Sequence, residues 1–279
     1  MEPYNREVML TRSLQLSPHP AALKATAQLL GDCRANLADI THAVSLDPIL
    51  TAKILQAGNS SYYGVKARVD NIPMAFVILG LDGAIDIIES FNLVSEVSDP
   101  VDQAFLSEFT EHSLKVAALC RALAVGLGYK LHGSEYFAGL LHDLGQVAIR
   151  VSSPEHYLVL EQHGEPMQLG IERTLIGTSH CEVGKYLGEQ WNLPPVIVES
   201  MGSHHQPIEG DTEFSVPALV RLAVFLLPYL ENHTDENAAS QVLPDKHFMS
   251  SSFSLADVRN VFCEIRDISK RLNDSILSE

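Results

Sequence analysis

The sequence Gly139-Leu-Leu-His-Asp-Leu-Gly-Gln-Val-Ala-Ile149 is apolar on almost every side when it is drawn as a helix. Its polar exceptions are His142, Asp143 and Gln146. A helix that is apolar all round is normally buried. A histidine beside a carboxylate in such a helix needs partners, because an unpaired buried charge is expensive. We therefore expect a central helix over about 134–149, with partners from neighbouring helices or a shared metal ion.

The rest of the chain repeats its apolar residues with helical spacing, and β-branched runs bounded by turns are scarce. Asn36 followed by Asp39 is typical of a capped helix start, and Asp47-Pro48 marks another start. At Gly58-Asn59 we expect the left-handed conformation that often ends a helix. Gly80 is expected to end a further helix. The sequence therefore predicts an all-α protein that begins with a bundle of short helices.

Three other predicted helices each carry a histidine in an apolar row. They are His112 in a helix over about 102–125, His180 in one over about 172–191, and His204, followed by His205, in a short helix that begins at Pro195. One such histidine is more often a hydrogen-bonded core residue than a ligand. Several buried imidazoles together favour a divalent cation, which accepts neutral nitrogens and a carboxylate. We predict that these four histidines join His142 and Asp143 around one or two ions, with Fe, Mn, Zn or Ni as candidates.

The composition limits the classes of function. Among 279 residues, 35 are acidic and 19 basic, and no basic cluster occurs, so direct nucleic-acid binding is not expected. The chain has no apolar run of about 18 residues and no signal-peptide pattern, which predicts a cytoplasmic protein without a membrane span. The four cysteines are scattered and are interpreted as reduced, structural thiols; they are Cys33, Cys120, Cys181 and Cys263.

The order of the histidines resembles the metal-binding series of the HD phosphohydrolase superfamily. More narrowly, residues 14–230 resemble the HDOD (HD-related output domain) family of bacterial signalling proteins. The segments that carry this resemblance are 46–55, 59–60, 63–64, 72–75, 79–81, 139–145, 182–184 and 191–194. The part before the histidine series separates HDOD proteins from ordinary HD enzymes. The resemblance implies a multi-helix HD-domain-like core behind the short helices, and a role in signal transduction.

The sequence departs from the catalytic members of the superfamily at two places. Those enzymes carry a final metal-binding Asp on the helix after the histidine pair, whereas residues 221–225 here read Arg-Leu-Ala-Val-Phe. The Gly-Tyr-Pro signature of the cyclic-dinucleotide-cleaving branch is replaced by Gln206-Pro207. The resemblance thus implies an incomplete site around His112, His142 and Asp143. A second site, formed by Asp143 with His180, His204 and His205, would be intact.

Three functions remain open. The first is a non-enzymatic regulatory module, with a signalling protein and a second copy of the chain as candidate partners. The second is a metal-dependent phosphohydrolase or phosphodiesterase acting on a nucleotide or cyclic dinucleotide, for which Lys185 and Arg150 are weak phosphate-binding candidates, more simply interpreted as surface cations. The third is a small-ligand sensor, which ranks last because no glycine-rich phosphate loop is present. We expect the regulatory module.

The sequence also suggests three parts. Ser98-Asp99-Pro100 marks a boundary between an N-terminal helical part over 1–98 and the HD-like core over 99–230. Residues 231–279 are expected to form a polar linker and a C-terminal amphipathic helix over about 255–277.

Overall fold

A computed structural model of the chain describes residues 12, 16, 18–32, 34–63, 68–95, 103–130, 132–162, 169–206 and 215–232. Within these residues the protein is helical and contains no β-strand, so the predicted all-α fold is confirmed. The helices are α1 (Pro20–Gly31), α2 (Leu37–Val44), α3 (Pro48–Gly58), α4 (Ile72–Ser95), α5 (Gln103–Gly126), α6 (Ser134–Leu141), α7 (Leu144–Ser152), α8 (Pro154–Gln162), α9 (Leu169–Ile176), α10 (His180–Gln190), α11 (Pro195–Ser203) and α12 (Val216–Asn232).

The three-part division stays a prediction. Its first boundary, at residues 98–100, and the predicted terminal helix over 255–277 lie outside the described residues. None of the described helices is long and apolar enough to cross a membrane.

The predicted helix starts in the N-terminal part are confirmed. The Asn36 side chain accepts hydrogen bonds from the backbone of Ala38 and Asp39, and Asp39 accepts one in return from the Asn36 backbone. The Asp47 carboxylate caps α3 at the backbone nitrogen of Leu50, with proline in the first helical position. These side chains satisfy amide groups that a helix start leaves without partners.

The expected left-handed end of α3 is wrong. Asn59 has φ −91°, and its side-chain amide donates to the carbonyl oxygens of Leu55 and Val69. The side chain therefore ties the helix end to a later segment, and no left-handed residue is required. The expected break at Gly80 is present, because Gly80 has φ 71° and ψ 167° inside α4.

Two helices predicted as continuous are each broken once. The helix over 134–149 divides into α6 and α7 at His142 and Asp143, where Asp143 has ψ 11°. The helix over 172–191 divides into α9 and α10 at Gly177, which has φ 74°. Periodicity did not reveal these breaks, because apolar residues continue on both sides of each one. Each break brings a candidate site residue to the end of a helix.

The central position of residues 139–149 is confirmed, since all of them are buried except the half-buried Gln146. Two glycines let neighbouring helices approach closely. A Cβ atom on Gly139 would lie 2.8 Å from the Cα of Ala117 on α5. A Cβ atom on Gly145 would overlap the carbonyl oxygen of His180 at the start of α10. The site helices are therefore in backbone contact through positions that exclude any side chain.

The N-terminal helices pack against this core. The Lys53 ammonium lies 4.5 Å above the ring of Trp191, at the end of α10. Arg68 donates hydrogen bonds to the carbonyl oxygens of Asn192 and Leu193. A cation over an indole and charge-assisted hydrogen bonds together join α3 and the segment before α4 to the end of α10.

We expect Gly145→Ala to lower the free energy of unfolding by at least about 3 kcal/mol, because its Cβ atom overlaps backbone atoms of His180 and Gly184 that cannot rotate away. Urea unfolding followed by circular dichroism measures the change. Gly170→Ala is the control, because nothing lies within 4 Å of its Cβ position. The control is expected to gain about 0.5–1 kcal/mol through helix propensity. Equal stability of the two variants would contradict the close contact between α7 and α10.

Candidate metal centre

The carboxylate of Asp143 lies at the centre of the predicted site. Its Oδ1 atom lies 3.5 Å from Nε2 of His180 and 3.2 Å from Nε2 of His204. Its Oδ2 atom lies 3.5 Å from Nε2 of His112 and 3.2 Å from Nε2 of His142. The two oxygens therefore face two different pairs of imidazoles.

All six residues that the sequence predicted are brought together. Their donor atoms form two groups that share Asp143, with all donor atoms of a group within 4.8 Å of one another. The groups are Asp143, His180, His204 and His205, and His112, His142 and Asp143. Either group of donors could hold a metal ion, and the number and identity of the ions stay a prediction.

The helix ends deliver these side chains to one place. His142 and Asp143 form the turn between α6 and α7, and His180 is the first residue of α10. His204 follows the last residue of α11, whereas His112 projects from the middle of α5. Among them, His112 is more accessible, with 41% of its side chain exposed. His142, Asp143, His180 and His204 are buried, so solvent reaches the site from the His112 side and from the exposed His205.

The second ring nitrogen of each buried histidine is already engaged. Nδ1 of His142 donates to the Gly139 carbonyl oxygen at 2.7 Å, and Nδ1 of His204 donates to the Met201 carbonyl oxygen at 3.0 Å. A carbonyl oxygen only accepts, so Nδ1 must carry the proton in both rings. In the neutral ring the Nε2 lone pair then faces Asp143. This arrangement, with an outer partner holding the ring, is the one that metal-binding histidines normally show.

Glu172 holds His180 and was missed by the sequence analysis. The buried Glu172 carboxylate accepts hydrogen bonds from Nδ1 of His180 at 2.7 Å and from its backbone nitrogen at 2.7 Å. In one continuous helix these residues would lie about 12 Å apart along the axis. The break at Gly177 folds α9 back and closes that distance. The contact between Glu172 and His180 could have been predicted from the sequence only if the helix break at Gly177 had been predicted first.

Cys181 is the second residue that the sequence analysis missed, because it was interpreted only as a structural thiol. Its buried Sγ atom lies 3.5 Å from Nε2 of His180 and 3.6 Å from Nε2 of His204. Burial raises the pKa of this thiol, but hydrogen bonds with His180 and His204 outweigh that effect and lower the pKa to about 7.

The charges of the site depend strongly on one another. Burial raises the pKa of Asp143, but the neighbouring imidazoles of His142 and His204 hold it well below its usual range. Burial lowers the pKa of His204, but the neighbouring Asp143 carboxylate and Cys181 thiol raise it to about 9. The pKa of His180 is likewise raised well above normal despite burial, through Cys181, Glu172 and Asp143. Cation binding would therefore displace protons from imidazoles.

The residues present fit a divalent metal ion. Asp143 Oδ1 and His142 Nε2 are buried, and neither makes a hydrogen bond with any described residue. Leaving such polar atoms unsatisfied costs about 1–3 kcal/mol each. Imidazole nitrogens and a carboxylate are ligands that suit Zn, Fe, Mn and Ni. An ion at this point would satisfy both atoms, and the ligands would be Asp143 with the surrounding histidines.

Helix α12 follows the histidine pair and contains the segment in which the sequence analysis found no counterpart of the last metal-binding Asp. Arg221 of α12 is buried and donates from Nη1 to the hydroxyl of Ser203 at 3.3 Å, beside His204. A guanidinium has no lone pair to offer a cation. The group of His112, His142 and Asp143 therefore gains no ligand from Arg221.

The two candidate phosphate-binding cations have other surroundings. The Arg150 guanidinium lies 4.7 Å from the rings of Phe105 and Tyr157, which accounts for it as a packing residue. Lys185 is exposed and lines a surface cavity of about 460 Å³ between α10 and α11. Neither cation is part of the donor groups.

The sequence pattern of the HDOD domain family matches residues 16–207. The chain belongs to the HDOD domain family. The predicted family is thus confirmed, and with it the resemblance that segments before the histidine series suggested.

Two solved structures of a length similar to this chain have the same fold. A crystal structure of the MmoQ response regulator from Methylococcus capsulatus (strain Bath) superposes with a TM-score of 0.71 at 18% identity, over 88% of this chain and 97% of that one. A virulence factor from Campylobacter jejuni gives a TM-score of 0.62 at 20% identity, over 92% and 95% of the two chains.

Two relatives found by sequence comparison are much longer than this chain. An uncharacterized protein of Treponema pallidum is 24% identical over 222 residues, 77% of this chain and 42% of that protein. The 3'3'-cGAMP-specific phosphodiesterase 1 of Vibrio cholerae is 28% identical over 152 residues, 53% of this chain and 32% of that enzyme. The chain therefore spans less than half the length of these two relatives.

We expect Glu172→Gln to lower the free energy of unfolding by about 1–3 kcal/mol, because His180 loses a buried, charged hydrogen-bond partner. Guanidinium unfolding monitored through Trp191 fluorescence measures the change. Glu189→Gln makes the same chemical substitution at an exposed position of α10 and should stay within about 0.5 kcal/mol of the parent protein. A loss no larger than that of the control would show that Glu172 does not hold His180.

Proposed function

We propose that the protein is a regulatory signal-transduction module that binds a divalent metal ion in its HD-type pocket and does not depend on catalysis. The observation that carries this proposal is a pocket that has metal-binding donors and, beside them, an arginine. The donors around Asp143 are present and oriented, whereas Arg221 of α12 lies beside the histidine pair in the segment where catalytic HD enzymes carry their last carboxylate.

The metal would join separate helices. Asp143, His180, His204 and His205 would hold one ion, and His112 and His142 would hold a second one with the shared Asp143. When bound, such an ion would polarise a ligand and lower the pKa of water. For the chain itself the consequence is mechanical, because α5, the α6–α7 turn, α10 and the end of α11 become linked at one point. An ion that binds only the folded form stabilises that form by mass action.

The partner in this proposal is another signalling protein, met in the cytoplasm, and a second copy of the chain is an alternative. The N-terminal helices are the part that distinguishes HDOD proteins from HD enzymes, so they are the proposed contact surface. Val77 on α4 and Tyr62 expose 76% and 86% of their surface there. Large exposed apolar side chains of this kind are suited to protein contacts.

A metal-dependent phosphodiesterase acting on a cyclic dinucleotide is the second candidate. The observation that favours it is the shared carboxylate, because two donor groups around one Asp143 are typical of two-metal hydrolytic sites. The distant similarity to a 3'3'-cGAMP-specific phosphodiesterase points the same way. Arg221 and the Gln206-Pro207 sequence after the histidine pair weigh against it.

Metal content is the first test. Protein purified without chelator or metal-affinity resin is expected to contain about one or two divalent ions per chain by elemental analysis. His180→Ala and Asp143→Ala should each lose the ion, because they remove donors from the buried group. His132→Ala removes an exposed histidine outside that group and should retain it. A folded protein without metal would contradict the metal-binding part of the proposal.

Turnover separates the two candidate functions. Metal-loaded protein incubated with 3'3'-cGAMP and with linear phosphodiesters is expected to show no hydrolysis above that of the Asp143→Ala variant, since the last carboxylate is absent. Product is measured by chromatography after long incubation. Hydrolysis that Asp143→Ala abolishes would replace the regulatory proposal with the enzymatic one.

A further inference from the structure

Two imidazole nitrogens near the start of α10, those of His180 and His204, each lie close to both a thiol sulfur and a carboxylate oxygen. The Sγ atom of Cys181 lies 3.5 Å from Nε2 of His180 and 3.6 Å from Nε2 of His204. The two Nε2 atoms lie 3.1 Å apart. Oδ1 of Asp143 lies 3.5 Å and 3.2 Å from these same nitrogens. Each of these five distances is short enough for one ion to bind both of the atoms that it joins.

A tetrahedral zinc site predicts these distances. Zinc binds nitrogen or oxygen at about 2.0–2.1 Å and sulfur at about 2.3 Å. In a tetrahedral shell, a ligand nitrogen therefore lies about 3.3 Å from a second ligand nitrogen or from a ligand oxygen. The separation is about 3.6 Å for a nitrogen with a sulfur. The distances observed around His180 and His204 agree with these values to within about 0.3 Å.

The surroundings point to a ligand role as well. Asp143 Oδ1 is buried, makes no hydrogen bond with a described residue, and faces the same two imidazoles as the thiol. Nδ1 of each imidazole is held by Glu172 or by the carbonyl oxygen of Met201. Cys181 therefore approaches the ring nitrogens that remain available for a metal.

We propose that Cys181 is a metal ligand, which completes a tetrahedral shell with Asp143, His180 and His204 and makes the pocket selective for zinc. This inference rests on the metal-binding part of the proposed function and adds the ion and a ligand. Thiolate sulfur favours zinc, whereas manganese and magnesium prefer oxygen. The His205 donor atom also lies within 4.8 Å of those of Asp143, His180 and His204, and in this inference the buried Cys181 takes the place of the exposed His205. Four protein ligands fill a tetrahedral zinc shell, which is the arrangement of structural zinc sites.

Cobalt(II) substitution tests the sulfur ligand directly. The protein loaded with cobalt is expected to show a sulfur-to-cobalt charge-transfer band in the near ultraviolet and the intense visible bands of tetrahedral cobalt. Cys181→Ser should keep bound cobalt through the other ligands and lose the charge-transfer band. Cys120→Ala is the control, because Cys120 is a buried thiol of α5 that lies eight residues, about 12 Å along the helix, from His112, and it should retain the band. His205→Ala should retain it too.

Metal competition measures how much Cys181 contributes to the zinc affinity. Cys181→Ser is expected to lower zinc affinity at least about 100-fold, and manganese affinity less than about threefold, because only zinc gains strongly from the sulfur. X-ray absorption of the zinc-loaded parent protein needs no variant and should show one sulfur at about 2.3 Å. It decides the matter even if Cys181→Ser fails to fold.

Several outcomes would overturn the inference. Cobalt or zinc that binds without a sulfur ligand would remove Cys181 from the shell and leave the metal-binding function standing. A charge-transfer band that survives in Cys181→Ser, or zinc that is lost in His205→Ala but kept in Cys181→Ser, would do the same. Parent protein that takes up neither ion would instead overturn the proposed metal-binding function, and this inference with it.

Discussion

The carboxylate of Asp143 is the group on which the rest of the structure depends. It is buried, its pKa is held far below normal, and its two oxygens face imidazoles from four separate helix segments. A buried negative charge is stable only while those positive or metal-bound partners remain around it. The packing of α5, α7, α10 and α11 is thus fixed by electrostatics as well as by apolar contact.

That arrangement is possible because backbones meet where side chains are absent. Gly145 touches the first turn of α10, and Gly139 touches α5 near Ala117. The glycines let the histidine-bearing helix ends converge to distances that a metal ion can span. An alanine side chain at either position would press against these backbones and move the histidine-bearing helix ends apart.

Sequence reasoning found the fold class and the six candidate ligands because both leave a periodic trace. His112 and His204 stand in apolar rows, and capping at Asn36 and Asp47 follows local chemistry. Glu172 and Cys181 leave no such trace. Glu172 reaches His180 because the left-handed Gly177 turns α9 back on α10, and Cys181 lies near the site because it follows His180 in the first turn of α10. A glycine can continue a helix or end it, and only the tertiary packing decides between the two.

Helix α10 contacts a different part of the protein at each of its two ends. His180 stands at its first residue, and Trp191, just past its last, lies beneath the Lys53 ammonium of the N-terminal helices. Its 11 residues make a rod about 16 Å long. A helix this short is stiff, so a tilt imposed at one end displaces the other. A tilt of α10 at His180 would therefore also move Trp191 beneath the Lys53 ammonium, so this helix offers a mechanical connection between the pocket and the N-terminal helices.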